Sequence, residues 1–103
     1  MYLIEQHKNE IIALCKSHNV GELYLFGSVL TDKFNENSDI DILIQFTGVD
    51  LYHYFENYID FKESMETLLQ RNIDIVENQA IRNPIFRKII DREKQLIYER
   101  KSA

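Results

Sequence analysis

A chain of 103 residues, 45% hydrophobic and 28% charged with three Gly and one Pro, can bury one apolar core and has neither a disordered nor a fibrous composition. Its net charge of −5 argues against a polyanion binder, which neutralises phosphates with clustered Lys and Arg, so nucleic acid is not an expected partner. No stretch approaches the roughly 18 apolar residues of a membrane span, and the start MYLIEQHKNE lacks the basic-then-apolar pattern of a secretory signal, so a cytoplasmic single domain over residues 1–103 is expected.

From Leu3 to Ser17, the residues Ile4, Ile11, Ile12, Leu14 and Cys15 recur at helical spacing while Glu5, Lys8, Glu10 and Lys16 are left for solvent. One amphipathic helix is predicted there. Cys15, the single cysteine, has no disulfide partner and reads as a small buried hydrophobe. His18-Asn19 and Gly21 supply breaker chemistry, after which Leu23 to Phe26 form a short apolar run ending on Gly27. That run reads as a buried strand. Val29-Leu30 can open a short helix, and Asp32 to Ser38 is a polar surface loop.

Asp39 to Phe46 alternates, with Ile40, Ile42 and Ile44 on one face and Asp39, Asp41, Leu43 and Gln45 on the other. It is the clearest strand in the sequence. Asp50 then suits the N-cap of a long helix from Leu51 to Gln70, with an apolar stripe of Leu51, Phe55, Tyr58, Ile59, Met65, Leu68 and Leu69. Phe55 and Tyr58 are expected in the core; Tyr52, Tyr54 and Phe61 fall off the stripe, as a partner-facing patch or as partly exposed packing residues. Asn72 to Glu77 repeats the strand pattern, opposing Ile73 and Ile75 to Asp74 and Val76. Asn83-Pro84 reads as the N-cap and first position of a helix to Glu93, and Gln95 to Tyr98 as a last strand. The short first connection favours a mixed sheet of three to four strands flanked by helices, an α+β (α/β) fold. His7, His18 and His53 lack metal-ligand spacing and receive no role.

One constellation carries chemistry. Gly27-Ser28 is followed after ten residues by Asp39-Ile40-Asp41, whose carboxylates at i and i+2 share a face of an extended strand. A residue without a side chain lets phosphate approach the backbone, a hydroxyl and amide at a helix start can contact it, and convergent carboxylates can hold Mg²⁺. Asp74, on a later strand, offers a third carboxylate.

The segment GSVLTDKFNENSDIDILI resembles the Gly-Ser-x10-Asp-x-Asp signature of the DNA polymerase β-like nucleotidyltransferase superfamily, and the chain's size is similar to its minimal nucleotidyltransferase branch. The likeness runs from a leading helix through the Leu-Phe-Gly-Ser turn, the Ser-Asp-Ile-Asp-Ile strand, a long helix and the Ile-Asp-Ile-Val strand to a final helix. It implies a polymerase β-like nucleotidyltransferase fold. It also implies that Gly27 and Ser28 hold the β and γ phosphates of ATP, that Asp39 and Asp41 ligate Mg²⁺, and that Asp74 completes a second metal site and helps deprotonate an attacking hydroxyl. The reaction so implied moves AMP from ATP to an acceptor hydroxyl and releases pyrophosphate.

A single small domain has no second lobe to exclude water and align the acceptor, so a partner protein is expected to complete the site. The resemblance points to a small all-helical HEPN-type toxin, modified on a tyrosine, with this chain as its antitoxin. The alternative it leaves open is a non-catalytic antitoxin that neutralises its partner by occlusion. Two positions depart from the branch, which commonly reads Gly-Ser-x-Ala-Arg: Leu30 and Thr31 stand at the Ala and Arg positions, with Lys33 the nearest substitute cation.

Overall fold

The computed structural model describes residues 2–101. Its elements run α1 (Tyr2–Gln6), α2 (Lys8–Ser17), β1 (Val20–Phe26), a 3₁₀ turn at Gly27–Leu30, β2 (Ile40–Phe46), a 3₁₀ turn at Leu51–His53, α3 (Tyr54–Leu69), β3 (Ile73–Glu77), α4 (Pro84–Glu93) and β4 (Gln95–Glu99), with a further 3₁₀ turn at Asn78–Ala80. The four strands form one sheet in the order β3-β2-β1-β4. β1 is antiparallel to both β2 and β4, whereas β2 and β3 are parallel and joined through the long α3.

The alternation of β2 decides the layers. Ile40, Ile42 and Ile44 enter the main core with Leu23 and Leu25 of β1, Ile73 of β3, Ile11 and Cys15 of α2, and Phe61, Met65 and Leu69 of α3. Helices α2 and α3 therefore cover that face. The opposite face carries Asp41 and Asp74, and α4 lies against part of it: Phe86 packs edge-on against Phe26 at 6.2 Å between ring centroids, and the Lys94 ammonium sits over Tyr24. Asn83 caps α4 by accepting hydrogen bonds from the N–H groups of Ile85 and Phe86, with Pro84 in the first turn, as its sequence predicts. No helix among the described residues is long and apolar enough to cross a membrane.

Three sequence expectations change. The single helix over Leu3 to Ser17 is two, interrupted at His7, whose φ of −110° and ψ of 16° are not helical. Ile4 and Ile11 stay buried on either side, and their seven-residue spacing gives no periodic sign of the break. The first strand starts at Val20, because Asn19 adopts a left-handed turn at φ 58° and its carbonyl accepts the Thr47 N–H at 2.7 Å, which pairs the chain three residues early. The stripe of the long helix is also rotated from expectation. Phe61, predicted off the stripe, is fully buried, while Phe55 is 72% exposed and Leu51 91%. The 3₁₀ turn at Leu51–His53 has about three residues per turn and so shifts the phase of everything counted from Leu51. Asp50 still caps it, accepting the His53 N–H at 2.9 Å.

His18, given no role from spacing, is a buried tie between α2 and α3. Its Nδ1 donates to the Leu14 carbonyl at 2.8 Å, closing the end of α2, and its Nε2 meets the Asp60 carboxylate at 2.5 Å. Ser17 Oγ also lies 3.0 Å from Nδ1. Because Nδ1 is committed to a carbonyl, this Ser-His-Asp adjacency has no base aimed at the hydroxyl and is structural.

Candidate functional site

The parallel register of β2 and β3 sets Asp41 beside Asp74, as it sets Ile40 beside Ile73 and Ile42 beside Ile75. On the other side β1 pairs Phe26 with Asp41. Phe26, Asp41 and Asp74 thus form a row across three strands, and the strand period of two puts them on the same face. Asp39 immediately precedes β2 and is exposed, as is Asp74; Asp41 is half-buried.

The chemistry of the row shows in Asp41. Burial holds its carboxyl above the ordinary carboxylate range, and the charge of Asp74, a side-chain hydrogen bond with Asp74 and the charge of Asp39 push it the same way. The charges of the other two aspartates singled out from the sequence thus both bear on the Asp41 carboxyl.

Gly27 closes that centre from β1. It has φ +76°, and a Cβ built on it would lie 2.5 Å from Asp41 Oδ2, so the turn runs directly over the carboxylate. The 3₁₀ turn that follows is anchored by the buried Val29 and closed by the Thr31 N–H and Thr31 Oγ1, both donating to the Ser28 carbonyl at 2.9 Å. Thr31 is thereby spent on the turn. Lys33, whose backbone N–H donates to Thr31 Oγ1, is exposed. Ser28 itself is half-buried at the second position of that turn.

These residues fit a divalent cation by donor type and by charge. The donors are all oxygen, as Mg²⁺ prefers, and two carboxylates crowded together are relieved by a cation between them. Among the described residues no three ligating side chains are already closed into a cage. Mg²⁺ does not require one, since it commonly takes one or two carboxylates and draws its remaining ligands from water and substrate phosphate.

One residue missed by spacing is Arg71, just before β3. Its Nη1 donates to the carbonyls of Asn35 at 2.8 Å and Ser38 at 3.0 Å, and its guanidinium stacks over the Phe34 ring at 4.5 Å. It clamps the loop that delivers Asp39 and lines a polar cleft of about 310 Å³ with Ser38 and Asp39. Its partners are main-chain carbonyls more than thirty residues away, so no motif announces it. Substitution of Arg71 by Ala is expected to speed amide exchange at Asn35 and Ser38 roughly tenfold, the size of one lost hydrogen bond to a charged donor. Unchanged protection in hydrogen-exchange mass spectrometry would show that the loop holds itself.

Comparison with known proteins follows the same outline. The family model described as "Polymerase beta, Nucleotidyltransferase" matches residues 9–103. The chain is 32% identical over 96 residues to "Putative protein adenylyltransferase MJ1379" of Methanocaldococcus jannaschii, covering 93% of this chain and 90% of that protein. It is 27% identical over 96 residues to "Protein adenylyltransferase MntA" of Thermococcus cleftensis, covering 93% and 88%. Among solved structures, a "putative minimal nucleotidyltransferase" superposes with a TM-score of 0.74 at 26% identity, over 89% of this chain and 90% of that one. A complex of tri-AMPylated Shewanella oneidensis HEPN toxin with MNT antitoxin matches with a TM-score of 0.62 at 17% identity, over 93% and 72%, a likeness of fold.

Proposed function

Because this chain belongs to the polymerase β nucleotidyltransferase family, we propose that its carboxylate row transfers AMP from Mg-ATP to a hydroxyl of a protein acceptor, a tyrosine of a helical HEPN-type toxin that the chain neutralises. Family membership makes the chain a nucleotidyltransferase. The observation that carries the rest is the convergence of Asp41, Asp74 and Gly27, with Asp39 acting on the same centre. The names of the relatives, protein adenylyltransferases, support adenylyl transfer to protein. The likeness to an AMPylated toxin bound to its antitoxin supports the partner class.

In this reading Gly27 lets the β and γ phosphates lie against the backbone, and the Ser28 hydroxyl donates to them. Asp39 and Asp41 would hold Mg²⁺, with Asp74 completing the set, and the chemistry such an ion would supply is neutralisation of the phosphate charge. Asp74, the exposed end of the row, takes the proton of the acceptor hydroxyl. The acceptor oxygen bonds to the α-phosphorus as the bond to pyrophosphate breaks, so one AMP is transferred for each pyrophosphate released.

The test is incubation with a helical toxin candidate and α-labelled Mg-ATP. Label on the acceptor with equimolar pyrophosphate, lost in Asp39→Asn and Asp74→Asn, is the expected result. Thr31, occupied with the Ser28 carbonyl where the branch has an arginine, favours a second reading: an antitoxin that works by occlusion. Under occlusion those two variants would still neutralise the toxin, and no label would appear.

A further inference from the structure

The cations of this acidic chain are unevenly placed. Residues 82–103 carry seven Lys and Arg against three Asp and Glu, whereas residues 1–81 carry five against fourteen. The excess gathers in and just around α4, where residues 82–94 carry five Lys and Arg against two Asp and Glu, while β4 itself holds only Glu99. Helix α4 lies on the carboxylate face, joined to it by the contact of Phe86 with Phe26, the register neighbour of Asp41.

Its outer side is a mixed strip. Positions 85, 88, 89 and 92 follow helical i, i+3, i+4, i+7 spacing, which brings Ile85, Lys88, Ile89 and Arg92 together along one line. Ile85 is 70% exposed and Ile89 41%. Of the two acids of this helix, Asp91 is engaged away from the strip, pairing with Arg87 at 3.3 Å and Lys94 at 3.1 Å, and Glu93 lies at its end beside Arg92. Arg92 reaches only its neighbour Glu93, with 71% of its side chain exposed, and Lys88 makes no ion pair among the described residues.

From this geometry we infer that the α4 strip docks the acceptor protein, through a segment that combines acidic and aliphatic side chains, and so selects which hydroxyl reaches Asp41 and Asp74. The inference rests on the transfer reading above. Charge complementarity calls for an acidic occupant, and two exposed isoleucines call for an aliphatic one. Nucleic acid is disfavoured because the strip offers no aromatic for base stacking and the remainder of the chain repels phosphate. A bilayer is disfavoured because the helix from Ile85 to Arg92 spans only about 10 Å, and the inner side of α4 is already committed to the sheet.

The experiment uses the whole chain with α-labelled Mg-ATP and tyrosine peptides of equal length whose flanks are Glu/Leu, Lys/Leu or Glu/Ser. The Glu/Leu peptide should be labelled at least tenfold faster than either of the others. Lys88→Glu with Arg92→Glu should reverse the charge preference, and Ile85→Ser with Ile89→Ser should bring Glu/Leu down to Glu/Ser. These side chains are exposed, and a melting curve matching the parent's confirms the fold; a variant melting early is replaced by Lys88→Ala with Arg92→Ala, which should abolish the preference. Equal labelling of all peptides, or an order unmoved by either charge variant, overturns the proposal. So does inhibition by poly(A) or phosphatidylserine vesicles with none by the Glu/Leu peptide. If Mg-ATP binds the parent and no peptide is labelled, docking falls while nucleotide binding stands. If Mg-ATP does not bind, the transfer reading falls and this proposal with it.

Discussion

Replacing Asp41 with Asn is expected to raise the melting temperature of the metal-free protein at neutral pH and, in the same variant, to remove nucleotidyl transfer by a factor on the order of 10³. Both effects come from one arrangement. Asp41 is half-buried beside Asp74, with Asp39 close enough to add its charge, and each of these disfavours its ionised form. A carboxyl held above its unfolded value, here 3.8, stabilises the fold fully below that value, and the contribution is lost as pH rises through the folded value. At neutral pH the parent therefore carries the penalty of an ionised Asp41, which the neutral amide avoids. The gain should amount to a few degrees, since solvent screening of a half-exposed group keeps it below the roughly 4–8 °C that 1 kcal/mol yields in a domain of this size.

The pH dependence separates this account from simple tolerance of the substitution. Melting in EDTA should show the advantage of Asp41→Asn at pH 7 and its disappearance below about pH 4, where the parent carboxyl is protonated in both states. Added Mg²⁺ should stabilise the parent and leave the variant unmoved. A variant that melts below the parent at pH 7, or that responds equally to Mg²⁺, would remove the carboxylate row from the site.

Gly27→Ala is expected to lower transfer at least a hundredfold, with a loss of stability of about 1–2 kcal/mol. Two separate costs act there. A φ of +76° is unfavourable for any L side chain, and the new Cβ would lie 2.5 Å from Asp41 Oδ2, so the carboxylate that organises the row must move. Gly48 provides the internal control, because its φ is +78° and a Cβ there meets nothing within 4 Å. Gly48→Ala should therefore lose about 1 kcal/mol of stability in urea and keep its activity. If the two alanine variants lose activity alike, the damage is backbone strain, and the close approach of Gly27 to Asp41 has no functional part.

Much of this molecule follows from local pattern. Ile40, Ile42 and Ile44 alternate with Asp39, Asp41 and Leu43, and period two alone puts the isoleucines in the core and the carboxylates on the other face. Asn83-Pro84 specifies the start of α4 through its own side-chain oxygen and fixed φ. Leu51 and Phe55 depart from the periodic expectation for an equally local reason, since one tight turn shifts helical phase and periodicity counted through it points the wrong way.

The amino-acid order by itself determined the strand faces, the helix caps and the chemical types in the Gly27-Ser28, Asp39-Ile40-Asp41 and Asp74 pattern, because side-chain alternation and capping act within a few residues. Only the tertiary structure decided that β2 and β3 run parallel in a register that seats Asp41 against Asp74, that Arg71 holds the Asp39 loop, and that Phe86 sets α4 on the carboxylate face through Phe26. Strand register and main-chain clamps join residues tens of positions apart. They are settled by how the two apolar faces close over the sheet, a balance to which every buried residue contributes and which no short segment encodes.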